Sequence, residues 1–431
     1  MERLFREVFE EWLARELPEN IVERELRVEP SERITAIIGP RRAGKTYLMF
    51  YTIKNLLSEY EKENILYVDF SDIRLRGLSE RDFSTFLKVL HEVFREGEGR
   101  IFLFLDEVQE LPSWDYWVRT LHNLGGYYIV LSGSSSKLLS REVATQLRGR
   151  YVSRLLLPFS FREFLRAKGF EVKYLYSPER RGLLLRHLKE YVRWGGFPEV
   201  VLSGNKGELL KTYVETVFYR DVVDRYRVRD VAGCEIFLRL LIESFGKRFS
   251  VSKAYNYFRS IGVRKSKRTL WNYLRYFREA FFVLLVEKFS FNVRERIQYP
   301  VKLYAIDTGF YPREDLGLKM ENIVALELMR RGAEYFYFQT RDGYEVDFLV
   351  RDGLRVRQLV QVTYAGSFDE VDRREWRALL KAYDLFREQD PELVVLTWDY
   401  EDERRLEWFG RSGLVRFVPL WRWLLQGTLI P

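Results

Sequence analysis

Gly39-Pro40-Arg41-Arg42-Ala43-Gly44-Lys45-Thr46 follows the apolar run Ile34-Thr35-Ala36-Ile37-Ile38 and leads into Tyr47-Leu48-Met49-Phe50, a helix-compatible stretch. The pattern is G-x-x-x-x-G-K-T in a setting of strand, loop and helix start. Its glycines let backbone N–H groups turn inward around phosphates, and the helix N-terminus behind them adds a favourable dipole. In such a loop Lys45 reaches the β and γ phosphates and Thr46 gives an oxygen to Mg²⁺. All eight residues, Gly39, Pro40, Arg41, Arg42, Ala43, Gly44, Lys45 and Thr46, are therefore candidate nucleotide contacts. The expected ligands are ATP and Mg²⁺.

A second motif would turn binding into hydrolysis. Ile101-Phe102-Leu103-Phe104-Leu105 is wholly apolar, as expected of a strand buried on both faces of a parallel sheet, and it ends in Asp106-Glu107. Asp106 is placed to hold the metal, usually through water, and Glu107 to polarise the attacking water. Two acids that merely end a core strand are the plainer reading. Downstream of a phosphate loop the catalytic one is preferred, because phosphoryl transfer needs both parts.

A third strand, Tyr127-Tyr128-Ile129-Val130-Leu131, runs into Ser132-Gly133-Ser134-Ser135-Ser136. Ser132 or Ser134 can point at a γ-phosphate, though small hydroxyl residues are equally good turn and cap formers. Next comes Gln146-Leu147-Arg148-Gly149-Arg150. A planar, permanently charged guanidinium suits developing phosphoryl charge, so Arg148 or Arg150 is a candidate finger, acting on a neighbouring subunit's nucleotide. A surface salt bridge is the competing role for either.

At 431 residues the chain has room for two or three domains, and its 47% hydrophobic content marks it as globular. The opening residues, rich in Glu and Arg, resemble an amphipathic helix without a signal-peptide core. No apolar run approaches the roughly 20 residues of a membrane helix. A single cysteine, Cys234, excludes an internal disulfide and suits a reducing compartment, so the cytoplasm is the expected location and no membrane partner is expected. Charged residues make up 31%, against 9 Asn, 8 Gln and 4 Met, a thermophile's balance.

The 71 basic and 63 acidic residues leave a net charge of +8. Residues 247–278 hold ten Lys or Arg and no acid, more than the whole excess. Such a concentration is the footprint of a polyanion. Val251, Ala254, Tyr255 and Phe258 form a one-faced apolar stripe, Ser260 to Gly262 make a turn, and Ser266 can cap a second helix that buries Leu270, Tyr273, Leu274 and Phe277. The spacing predicts a helix-turn-helix whose recognition-like helix presents Arg268, Asn272, Arg275 and Arg278, with Lys265 and Lys267 at its start. The strand-like run Phe281 to Val286 suits the hairpin of a winged helix. Double-stranded or branched DNA is the expected partner; a winged helix serving as a spacer, its charges solvated, is the alternative.

From about residue 301 the pattern returns to α/β. A helix from Met320 to Arg331 precedes strands at 335–338, 344–350 and 358–363, then a helix from about Asp369 to Glu388 and a last strand at 393–396. Asp347 sits mid-strand among apolar neighbours, where an unpaired carboxylate is costly. It must pair with a basic side chain or hold a metal, with Glu321 or Glu327 supplying a second oxygen ligand.

Taken together, GPRRAGKT (39–46), FLDEVQELPSW (104–114), LSGSSSKLL (131–139), LRGRYV (147–152), LPFSFREFL (157–165) and YVRWGGFPEVV (191–201) make the chain resemble the AAA+ P-loop ATPases of archaea and bacteria that carry a C-terminal domain of the PD-(D/E)xK nuclease superfamily. The resemblance implies an α/β fold. It comprises an AAA+ parallel-sheet core (1–160), a helical lid (161–230), a winged-helix domain (231–300) and a restriction-endonuclease-like domain (301–431). It also implies Arg148 or Arg150 as trans-acting fingers in a homo-oligomeric ring, often a hexamer. The nuclease pattern asks for an acid, here Asp347, then Glu/Gln-x-Lys; this chain has Gln361-Val362-Thr363, with Thr363 in place of the lysine. Glu321, Asp347 and Gln361 are thus expected to be the remnant of a degenerate nuclease. The leading expectation is an ATP-hydrolysing motor that remodels or translocates DNA, recombination junctions included. The alternatives are a slow nucleotide-gated signalling or defence switch and an ATPase-coupled, metal-dependent nuclease.

Overall fold

Strand-forming runs that are apolar on both faces need cover on both faces, and a parallel sheet flanked by helices provides it. In the computed structural model, which describes residues 1–94, 100–133, 150–292, 296 and 299–426, those runs assemble in the first of two units, Met1–Pro158. Its strands are β1 (Ile34–Ile38), β2 (Ile65–Asp69), β3 (Ile101–Asp106), β4 (Tyr127–Gly133) and β5 (Tyr151–Leu155). They lie in the order β2-β3-β4-β1-β5, every pair parallel. Each parallel neighbour needs a crossover, and α2 (Lys45–Leu56), α3 (Phe83–Val93) and α4 (Trp114–Leu124) supply them. The N-terminal α1 (Glu2–Ala14) buries Phe5, Val8, Phe9 and Trp12. Phe86 of α3 meets Phe5 and Phe9 edge-on, centroids 5.5 Å apart in each case, and the Trp12 indole donates to the Ile65 carbonyl at 2.6 Å.

The second unit, Phe159–Pro431, begins with helices: α5 (Phe161–Ala167), α6 (Pro178–Trp194), α7 (Pro198–Leu202) and α8 (Lys206–Thr216). The last runs into a π-helical stretch, Val217–Asp224, and α9 (Val231–Glu243) follows. A small antiparallel sheet, in the order β6-β8-β7, is built from β6 (Lys247–Phe249), β7 (Val283–Val286) and β8 (Val301–Ala305). Between β6 and β7 run α10 (Val251–Ser260) and α11 (Lys267–Glu279). The buried side of α11 is Leu270, Tyr273, Leu274 and Phe277. The Ser266 hydroxyl accepts from the Thr269 N–H at 3.0 Å, so the predicted stripe and cap both form.

The rest is a six-stranded mixed sheet, ordered β13-β14-β12-β11-β10-β9. Its strands are β9 (Glu334–Gln339), β10 (Glu345–Asp352), β11 (Arg355–Val362), β12 (Glu392–Thr397), β13 (Asp402–Trp408) and β14 (Arg411–Pro419). Three helices accompany it: α12 (Leu316–Arg330), α13 (Arg373–Phe386) and α14 (Leu420–Leu425). Two expectations need correction. The strand at 393–396 is not the last, because β13 and β14 follow. The charge-rich DERRLEW run of β13 hides its strand character, but charges belong on an exposed edge, where they discourage pairing with other chains. Residues 301–305 do not open the C-terminal sheet; β8 pairs with β6 and β7. Among the described residues no helix is long and apolar enough to cross a membrane.

Phe104 in the middle of β3 is fully buried. Phe104→Ala is expected to lower unfolding stability by about 3–5 kcal/mol. Urea denaturation measures this, and a loss well below about 1 kcal/mol would contradict its central place in the core.

Candidate functional site

The loop after β1 returns close to the chain that follows β5. A Cβ added to Gly39 would sit 2.0 Å from the Leu156 carbonyl oxygen, so no larger residue fits there. Gly44 takes φ 93° as the N-cap of α2, and no side chain caps that helix. The first N–H groups of a helix have no intrahelical acceptor and Gly44 offers them no side-chain cap, the arrangement that receives an anion. Lys45 is buried and folds back over the loop, its ammonium donating to the Gly39 and Pro40 carbonyls at 3.1 and 3.0 Å. Arg41 and Arg42 lie at the loop's outer turn, half-buried and exposed respectively, and Ala43 is buried.

Asp106 ends β3 and gathers four donors. Its Oδ2 accepts from the Thr46 hydroxyl at 2.6 Å and the Tyr67 hydroxyl at 2.9 Å. Its Oδ1 accepts from the Ser132 hydroxyl and from the Glu107 N–H at 3.1 Å. The oxygens of Thr46 and Asp106 thus form a hard donor set of the kind Mg²⁺ takes, and together with the uncapped α2 they fit a magnesium nucleotide. Ser132 is buried and committed to Asp106. Glu107 follows in a left-handed conformation (φ 48°), its carboxylate accepting from the Gln109 side-chain amide. Arg150 is exposed and donates to the Asn123 side chain of its own chain at 2.6 Å. Ser134 and Arg148 lie outside the described residues.

Three neighbours of this site carry no motif. Burial, and then the Asp106 charge, push the Tyr67 phenol well above its usual range, so it stays a donor. Asp69 ends β2 directly beside Asp106 in register, and burial raises its carboxyl; its place at a strand's C-terminal end is the signal that could have found it. Arg24 is buried and spans the Ala43 and Leu157 carbonyls, 2.7 Å to each, bracing the loop against the end of β5. Nothing local in the sequence marks it.

On α11, Lys267, Arg268, Arg275 and Arg278 are exposed and Asn272 is half-buried. Lys267 lies over the Tyr255 ring and Arg275 approaches Glu279 at 3.9 Å. Lys265 differs from expectation: it is paired with Asp230.

The acid at Asp347 meets a partner that motif spacing does not reveal. Lys302 of β8 is buried, with Nζ 2.8 Å from Asp347, 2.5 Å from Glu321 and 2.9 Å from Glu345. A lysine therefore stands in the cluster, from a different strand than the Gln361-x-Thr363 pattern scans. Gln361 accepts from the Asp347 N–H at 2.6 Å and donates to Glu375. Of the two candidate acids the fold brings in Glu321; Glu327 is taken by Arg330 and Arg331. Burial opposes charge on Lys302, but the Asp347 and Glu321 carboxylates outweigh it and the ammonium holds its proton. Burial and the Asp347 charge raise the Glu321 carboxyl and push Glu375 up to about 8.

Three family models match the chain: an AAA domain over residues 31–165, and two domains of unknown function over 185–319 and 316–419. The uncharacterized protein MJ1544 of Methanocaldococcus jannaschii is 34% identical, covering 98% of this chain and 95% of its own length. An uncharacterized protein of Haemophilus influenzae is 27% identical over 95% of this chain and 98% of its own. Among solved structures, the Aeropyrum pernix ORC1 protein in complex with DNA aligns with 75% of this chain and 92% of its own, at 16% identity and a TM-score of 0.32.

A raised carboxyl makes stability depend on pH. The folded state keeps a proton on Glu375 that the unfolded chain loses near its ordinary value. The contribution is thus complete below about 4.5 and lost as pH rises to about 8. Thermal unfolding of the full chain is expected to show this decline, and Glu375→Gln to flatten it. A variant as pH-dependent as the wild type would exclude Glu375 as the source.

Proposed function

The chain belongs to the family of the M. jannaschii protein MJ1544 and carries an AAA domain at its front, and on that footing we propose that it is a ring-forming ATPase that spends hydrolysis on moving or remodelling DNA. The observation that carries the hydrolytic half is the 2.6 Å contact from Thr46 to Asp106 beneath an uncapped α2. Bound Mg²⁺ would neutralise charge developing on the phosphates. Lys45 then leaves the Gly39 and Pro40 carbonyls for the phosphates, Asp106 orients Thr46, and Glu107 takes the proton of the attacking water once Gln109 releases it. Arg148 or Arg150 of a neighbouring copy completes the charge stabilisation. The DNA half rests on the exposed cations Arg268, Arg275 and Arg278 along one face of α11, with Lys267 and Asn272 at its flank. Branched duplexes are the proposed substrates and the cytoplasm the proposed location.

A second reading, metal-dependent cleavage by the C-terminal sheet, has one observation in its favour. Lys302 puts an ammonium beside Asp347 and Glu321, which meets the objection that Thr363 replaces a lysine. The same ammonium also satisfies the acids without any metal, so the degenerate reading stays first.

ATPase assays across linear, single-stranded and four-way-junction DNA, with mass measurement in ATP, test the machine. Lys45→Ala is expected to cut turnover about a hundredfold or more; wild-type turnover in that variant would refute the active-site assignment. Reversing Arg268, Arg275 and Arg278 to Glu should weaken duplex binding at least tenfold at moderate salt, and unchanged affinity would move the contact surface elsewhere. No cleavage is expected with Mg²⁺ or Mn²⁺. Cleavage that disappears in both Asp347→Ala and Lys302→Ala would establish the second reading instead.

A further inference from the structure

Residues that follow the π-helical stretch, Tyr226 to Asp230, lie against the start of α11 and leave an open concavity of about 390 Å³. Its cations are Arg227, Arg229, Arg264 and Lys265, and its one carboxylate, Asp230, is already bound to Lys265. Arg227, Arg229 and Arg264 are exposed, and none of the three makes an ion pair among the described residues. Guanidinium groups held around one hollow whose only carboxylate is paired with Lys265 repel each other, and an anion entering the hollow relieves that repulsion. Their planar forks match the oxygens of a phosphate group, which accepts two parallel hydrogen bonds from each.

The hollow is firmly built. The Tyr226 ring stacks on Tyr276 of α11 at 3.9 Å and 9° between planes, and the Tyr226 hydroxyl is bonded to Glu279. The segment bearing Arg227 and Arg229 is thereby pinned to the helix. Thr269 and Asn272 line the hollow as well, so it opens onto the flank of the face that carries Arg268 and Arg275. A phosphate backbone crossing that face would run into it.

We propose that this hollow clamps one or two backbone phosphates of a DNA duplex lying along α11, fixing its position without reading its sequence. The inference rests on the DNA reading above and adds two contacts from before α9, Arg227 and Arg229, and one, Arg264, from the turn before α11. Phosphate contacts set salt dependence: each neutralised phosphate contributes about 0.9 to the slope of log affinity against log salt.

The test is fluorescence anisotropy of the full chain with a labelled duplex between about 50 and 200 mM salt. Wild type is compared with R227A/R229A/R264A and with the charge-retaining R227K/R229K/R264K, all three checked for folding by circular dichroism. The alanine variant is expected to flatten the salt slope by about one to two, equally for unrelated duplex sequences, and the lysine variant to recover most of it. Wild type that binds while the alanine variant keeps its slope overturns the clamp alone. Wild type that binds no duplex at low salt overturns the DNA reading itself. Calorimetry with inorganic phosphate separates the sources: phosphate bound by wild type and lost in the alanine variant, with duplex binding intact, would mean a small phosphate ligand and overturn the assignment to the backbone.

Discussion

The placing of β4 between β1 and β3 is the constraint on which the front unit depends. Chain order would put β1 beside β2; instead the sheet runs β2-β3-β4-β1-β5. The loop after β1 and the acids after β3 then flank one intervening strand, whose Ser132 hydroxyl meets Asp106 from within. Thr46 and Asp106 come within a hydrogen bond although 60 residues separate them. Because parallel strands all point the same way, every loop carrying chemistry leaves from the same edge of the sheet.

Two carboxylates in this chain, Asp106 buried and Asp347 half-buried, meet the cost of leaving water differently, and the difference sets what each can do. Asp106 is held by hydroxyls and a backbone N–H, neutral donors that leave its negative charge uncancelled and open to a cation. Asp347 is held by an ammonium shared with Glu321 and Glu345, which cancels charge internally. Removing one partner of such a buried cluster leaves an uncompensated charge, far more costly than its net contribution. The first arrangement suits catalysis with a metal nucleotide. The second is self-sufficient as structure, even where its residue types match those of a nuclease.

The legible parts of the chain were those whose meaning is local. A phosphate loop needs its glycines, lysine and threonine within eight consecutive positions, so 39–46 could be read at once. The stripe Leu270, Tyr273, Leu274 and Phe277 follows from helical period alone, as does Ser266 at its cap. The edge strand β13 escaped because solvent-facing charges mask alternation, and β6 because three residues are too few to show any period. Arg24 and Lys302 escaped for another reason: each acts on a group far off in the chain, and no spacing rule links Lys302 to Asp347 or Arg24 to Leu157.

The amino-acid order by itself determined the residue chemistry of the nucleotide loop, the acids after β3 and the positive face of α11, since each depends on neighbours one helical turn or one strand away. Only the tertiary structure decided which acid joins Asp347, what neutralises the pair, and that Arg227, Arg229 and Arg264 share a hollow whose one carboxylate, Asp230, is paired with Lys265. Those outcomes depend on how distant segments pack, and the electrostatics of a buried group are set by what surrounds it in space, whatever lies beside it in the chain.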